Sequence, residues 1–202
     1  MLVKVCGLRD NWKEVSELQP DLLGLIFYPK SSRFIELDGE KIIATDIPKV
    51  GVFVKASAAD IIKKVAQYQL SYVQLHGDES VEFIEELKKS LTEIKIIKVF
   101  RVQDELPDVK EFEHLVDLFL FDTKVSEYGG TGSRFDWDIL RTYSSSIPFL
   151  IAGGVDEQDI QNIKSLQING FIGVDINSKF EDEPGLKNIE KVSTFIKAIR
   201  DE

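Results

Sequence analysis

Leu118-Phe119-Leu120-Phe121-Asp122 is a run of four large apolar residues closed by a carboxylate. The run lacks polar alternation, which is the pattern of a parallel strand covered on both faces rather than a half-exposed one. Seven further apolar runs recur, most of them near-continuous in the same way: Leu2–Cys6, Leu22–Phe27, Lys49–Val54, Tyr72–His76, Ile94–Val99, Phe149–Ala152 and Phe171–Asp175. Longer amphipathic stretches separate them. Eight apolar runs alternating with helical patterns form a repeated β/α unit.

The intervening stretches carry helix signals. Ser57-Ala58-Ala59-Asp60 resembles a capping box, and Ile61, Ile62 and Val65 follow on one face. Glu79 to Lys89 sets Val81, Ile84 and Leu87 at helical spacing, and Phe135-Asp136-Trp137 opens another helix. Leu186, Ile189, Val192, Ile196 and Ile199 form the apolar stripe of a last one. No linker or composition break divides the chain. The expectation is an α/β fold, a (β/α)8 TIM barrel forming a single domain over residues 1–202. The rival doubly wound open sheet is disfavoured because the first strand is not followed by Gly-x-Gly-x-x-Gly.

Bulk properties narrow the function. The 202 residues include 25 basic and 35 acidic ones, a net charge of -10, which repels nucleic acid and anionic membrane; neither is an expected partner. An anionic ligand would need a local positive site, which backbone N–H groups at helix N-termini can supply. Cys6 is the only cysteine, so no internal disulfide forms and a reducing compartment is natural. Nothing approaches the roughly 18 apolar residues of a membrane span, and a cytoplasmic location is expected.

In a barrel, chemistry belongs at the C-terminal ends of the strands. Cys6 ends the first strand before Gly7. It is either a buried small hydrophobe or, beside a positive charge, a thiolate base. Asp122 ends the sixth strand and is either a loop cap or a general acid/base. The Gly129-Gly130-Thr131-Gly132 turn after the sixth strand, Gly153-Gly154 after the seventh and Asn177-Ser178 after the eighth suit an oxyanion. Phosphate sites of barrels commonly form after strands seven and eight. Arg33, in the loop after the second strand, is a solvated surface arginine or an anion clamp. His76 ends the fourth strand and is as well read as a packed polar residue as a catalytic one; His114 reads as an exposed helix position. Two histidines and one cysteine this far apart make no transition-metal cluster.

Lys4-Val5-Cys6-Gly7-Leu8, Val73-Gln74-Leu75-His76-Gly77, Asp122 with Gly129–Gly132 and Phe135-Asp136-Trp137, and Ala152-Gly153-Gly154 together resemble phosphoribosylanthranilate isomerase. Gly173-Val174-Asp175-Ile176-Asn177-Ser178, Glu181 and Pro184-Gly185-Leu186-Lys187 extend the match, in order, over essentially the whole chain. The resemblance implies an Amadori rearrangement of N-(5-phosphoribosyl)anthranilate in tryptophan biosynthesis, with no cofactor and no metal. It implies Asp122 as general acid and Cys6 as general base. Arg33 is implied at the anthranilate end, and Gly130, Thr131, Gly132, Gly153, Gly154, Asp175, Asn177 and Ser178 as substrate-binding. The partner is then a phosphorylated small molecule, and the assembly a monomer or homodimer.

Two positions depart from the family pattern. Lys179 stands where a glycine is common, which adds charge near the phosphate or forces the loop onto another path. Asn188 stands where an aspartate commonly follows the lysine. Alternatives are another phosphate-sugar barrel isomerase or synthase, and a non-catalytic phosphometabolite-binding barrel.

Overall fold

The computed structural model describes residues 1–36, 45–123 and 136–201. Its strands are β1 Leu2–Val5, β2 Leu22–Ile26, β3 Lys49–Phe53, β4 Tyr72–Leu75, β5 Lys95–Val102, β6 Leu118–Thr123, β7 Phe149–Ile151 and β8 Phe171–Ile176. All eight runs read from the sequence are strands. They pair in parallel in chain order and close into a barrel where β8 meets β1, with Lys4 opposite Asp175.

Side chains alternate across each strand and so divide into two sets. Val3, Val5, Leu23, Leu25, Val73, Phe119, Phe121, Val174 and Ile176 point outward into the large core beneath the helices. Leu22, Val50, Ile97, Val99, Leu118, Leu120, Leu150 and Ala152 form a separate cluster inside the barrel. The same alternation turns Lys4, Cys6, Gln74 and Asp175 inward. Near-continuous apolarity thus reflects two cores, one on each face of the sheet.

Helices α1 Trp12–Glu17, α2 Ala58–Tyr68, α3 Val81–Ser90, α4 Ile160–Ser165 and α5 Ile189–Arg200 run back outside the barrel. Ser57 caps α2 by accepting from the Asp60 N–H, as its spacing suggested. Two helix limits differ from the sequence reading. α3 starts at Val81 because Ser80 caps it, and Glu79 turns inward instead to accept from the Gly77 and Lys55 N–H groups. Leu186 is not helical: it lies in strand β10 (Leu186–Lys187), antiparallel to β9 (Glu181–Glu183), and α5 begins only after Asn188. The stretch opened by Asp136 is a 3-10 helix, Trp137–Thr142, with Asp136 as its cap.

An aromatic cluster backs β5 to β7. Phe121 is fully buried and its ring lies 5.2 Å from that of Phe149 and 5.7 Å from that of Tyr143. Phe121 directly precedes Asp122, so the cluster sets where that carboxylate enters the mouth. Phe121→Ala should cost about 3–5 kcal/mol of unfolding free energy in urea titrations. A loss within the error of the extrapolation would show that the cluster does not carry this wall.

Candidate active site

The C-terminal mouth is built from inward-facing side chains at two depths. Cys6 is buried at the end of β1, its N–H donating to the Ile176 carbonyl at 2.9 Å. The neighbouring strand makes room for the thiol: a Cβ on Gly24 would lie 2.8 Å from Cys6 Sγ and 2.9 Å from its Cα. One layer deeper Lys4, with 0% exposure, donates from Nζ to Asp175 Oδ2 at 2.8 Å. Asp175 Oδ1 is buried and has no hydrogen-bond partner among the described residues. Burial pulls the Lys4 ammonium down, but Asp175 and Cys6 outweigh it and hold it charged. Burial pushes the Cys6 thiol up, against the opposing pull of Lys4 and Lys187.

Asp122 stands at the end of β6, with β7 and β8 between it and Cys6 on that side of the barrel. His76 Nε2 lies 3.2 Å from Asp122 Oδ2, and Gln74 Nε2 lies 3.2 Å from His76 Nδ1. Gln74, His76 and Asp122 thus form a polar chain from the barrel interior to the mouth. The turn after β7 passes close by: a Cβ on Gly153, at φ +84°, would sit 2.6 Å from Asp122 Oδ1. Gly154 follows with φ +79°, so both residues use backbone that favours glycine.

Around the rim, Glu181 joins the loops after β2 and β8. Arg33 grips it through Nε at 2.9 Å and Nη2 at 2.6 Å. Lys187, also fully buried at its side chain, donates to Glu181 Oε1 and to Asn177 Oδ1, each at 2.7 Å. The Gly185 carbonyl accepts from the N–H groups of Arg9 and Asp10. The loops after β1, β2 and β8 are therefore fastened together by one carboxylate and one carbonyl.

Of the site residues read from the sequence, Cys6, Arg33, Asp122, Gly153, Gly154, Asp175, Asn177 and Ser178 all lie at this end of the barrel. Gly130, Thr131 and Gly132 lie outside the described residues. Lys179 is exposed in a 3-10 turn, Ser178–Phe180, and does not take positive φ, so the loop needs no glycine there. Asn188 caps α5 by accepting from the Lys191 N–H, a role aspartate fills equally well. The sequence reading assigned no function to Lys4 and Lys187 and left His76 undecided. A lysine two residues before Cys6 on an inward strand face was the available signal. Among the described residues no group of three His, Cys, Asp or Glu side chains could hold a metal ion.

Closed parallel topology, with ionisable groups gathered at the C-terminal mouth, defines a (β/α)8-barrel enzyme. Residues 3–198 match the family model described as N-(5'phosphoribosyl)anthranilate (PRA) isomerase. The N-(5'-phosphoribosyl)anthranilate isomerase of Parabacteroides distasonis is 42% identical, over 98% of this chain and 93% of its own. The crystal structure of the phosphoribosyl anthranilate isomerase from Thermotoga maritima superposes with a TM-score of 0.79 at 29% identity, covering 100% of both chains. One phosphoribosyl anthranilate isomerase solved with reduced 1-(o-carboxyphenylamino)-1-deoxyribulose 5-phosphate aligns at a TM-score of 0.76 and 26% identity, again over 100% of both chains. The chain belongs to the N-(5'-phosphoribosyl)anthranilate isomerase family, aldose–ketose isomerases of tryptophan biosynthesis.

The rim network sets a pH dependence. Burial raises the Glu181 carboxyl, but hydrogen bonds from Arg33 and Lys187 outweigh this and hold it below the usual glutamate range. A depressed carboxyl contributes stability that is present above its unfolded value, about pH 4.3, and is lost as pH falls through the folded value. Glu181→Gln should therefore melt at a lower temperature than wild type at neutral pH, and the gap should shrink in acid. A gap that persists unchanged into strong acid would exclude the ion pairs as its cause.

Proposed function

We propose that this mouth rearranges N-(5-phosphoribosyl)anthranilate to 1-(2-carboxyphenylamino)-1-deoxyribulose 5-phosphate with Asp122 as general acid and Cys6 as general base. One observation carries the reading: the two groups end β6 and β1 and face the same mouth, and the strands between them lead into the Gly153-Gly154 and Asn177-Ser178 turns. A substrate anchored by its phosphate on those turns has its sugar carbons directed between acid and base.

The chemistry follows from that arrangement. Asp122 gives its proton to the furanose ring oxygen, the C1–O bond breaks, and the nitrogen lone pair forms a cationic iminium. The cation acidifies the C2 proton, which passes to Cys6 sulfur, and the C2–H electron pair neutralises the iminium as an enol. Tautomerisation yields the ketone. One proton is given and one taken, so product and substrate are isomers and the steps balance without a cofactor or metal. His76, 3.2 Å from Asp122, is the neighbour able to exchange a proton with it.

Binding roles divide along the rim. Glu181 occupies Nε and Nη2 of Arg33, while Nη1 has only a 3.5 Å contact with Ser32 Oγ. Nη1 is therefore free to meet the anthranilate carboxylate. The unpartnered Asp175 Oδ1 is suited to accept from a sugar hydroxyl, since a buried acceptor left unpaired is costly. Backbone N–H groups of the glycine turns and the Asn177-Ser178 segment take the phosphate, with Gly130, Thr131 and Gly132 completing the grip. A single barrel domain working in the cytoplasm fits the acidic charge and lone cysteine; no helix among the described residues is long and apolar enough to cross a membrane.

Aminosugar generated in situ, with loss of anthranilate fluorescence as readout, tests the roles. Asp122→Asn and Cys6→Ser should each lower kcat by about 10²–10⁴-fold, while Arg33→Met should raise KM more than it lowers kcat. Full turnover in both of the first two variants would remove the mechanism. A wild-type protein that binds the phosphosugar without turnover would favour the non-catalytic barrel.

A further inference from the structure

Lys4 has no part in the mechanism above, yet it is the largest charged side chain sealed inside the barrel, with 0% exposure. A lysine inside a barrel whose deeper layer is Leu22, Val50, Ile97, Leu118 and Leu150 loses its hydration and needs a compensating anion. Asp175, its register partner across the β1–β8 seam, supplies one at 2.8 Å. Two features show that the pair is more than a closed ion pair. Cys6 stands two residues along the same inward strand face, one layer above Lys4, where a thiolate and the ammonium would stabilise each other. Asp175 uses only one oxygen on Lys4, leaving ammonium protons for another acceptor.

We propose that Lys4 is a positioning residue: held in place by Asp175, its buried ammonium is the fixed countercharge of the Cys6 thiolate. The inference rests on the assignment of Cys6 as the base. A thiol can take the C2 proton only as thiolate, and a thiolate enclosed in a dry mouth requires a cation that does not have to move. The other groups facing Cys6 do not fill the role. β2 presents Gly24, which has no charge. β10 presents Lys187, but its ammonium already donates to two acceptors, Glu181 and Asn177, each at 2.7 Å, whereas Lys4 has Asp175 alone; Arg33 at the rim is held by Glu181 as well. Across the mouth Asp122 and His76 face each other. From β8 comes Asp175, an anion that opposes a thiolate and competes with it for Lys4.

That competition gives changes of opposite sign. Cys6 is the only cysteine, so 13C-labelled cysteine reports its ionisation by NMR in the substrate-free enzyme. Removing the cation in Lys4→Met should move the Cys6 titration upward by about one pH unit or more, the usual effect of an opposite charge at close range. Removing the competing anion in Asp175→Asn should move it downward, because Lys4 is then left to the thiolate alone. Lys4→Arg should keep most of the wild-type titration. The acid limb of the kcat/KM pH profile should follow each shift. A purely structural lysine would lower the melting temperature in these variants and leave the Cys6 titration where it was; that result overturns the proposal. If Lys4→Met does not fold, the direction of the Asp175→Asn shift decides. Turnover surviving in Cys6→Ala would instead remove the base assignment, and the titrations would still report whether Lys4 and Cys6 are coupled.

Discussion

The Lys4–Asp175 ion pair lies where the barrel closes, one layer beneath Cys6 on the inward face of β1. β1 and β8 are the first and last strands of the barrel, and their pairing joins residues 171 positions apart. An unpaired charge at either position would be costly inside the apolar barrel, so each residue stabilises the other where the barrel closes. Once the pair is formed, Cys6 has its place above the ammonium. Asp175 Oδ1 is buried and has no hydrogen-bond partner among the described residues. The interaction that completes the fold therefore also sets the electrostatics of the mouth.

Above it, a second network controls the rim. Glu181 gathers Arg33 and Lys187, and Lys187 extends to Asn177, so the loops after β2 and β8 share one carboxylate. This matters in a protein of net charge -10, whose general field repels an anionic substrate. The positive groups are concentrated and held by their own counterions, so attraction is local and directional. Arg33 is fixed through two of its nitrogens, and its third has only a 3.5 Å contact with Ser32 Oγ. The cost is that Glu181 lowers the net positive charge at the rim. Recognition there depends on geometry more than on charge.

A (β/α)8 barrel supports many chemistries, so the fold alone does not define a reaction. Here the distinction rests on which strand ends carry which groups. A thiol at the end of β1 and a carboxylate at the end of β6 share one mouth, with the Gly153-Gly154 turn after β7 beside the carboxylate. His76 and Gln74 connect the carboxylate to the interior, while Lys4 does so for the thiol. Asp122 and Cys6 thus have different polar neighbours in the layer below and sit in separate electrostatic surroundings.

Periodicity determined the strand count and the order of the units, because a parallel sheet covered on both faces leaves near-continuous apolar runs; the choice of a barrel over an open doubly wound sheet rested on the missing Gly-x-Gly-x-x-Gly. The candidate acid, base and anion-binding turns were also legible, since strand-end position is a one-dimensional property. Helix ends were less so. Glu79 and Leu186 fit the helical spacing, but a buried hydrogen-bond site for one and a β10 pairing for the other outweighed local propensity. The partnerships could not be read at all. Lys4 with Asp175, separated by 171 positions, His76 with Asp122, and Glu181 with Arg33 exist only because the barrel closes and brings distant strand ends within hydrogen-bond range. Sequence spacing records which face a residue occupies; only closure decides what stands opposite it, and in a buried mouth that neighbour decides what the residue can do.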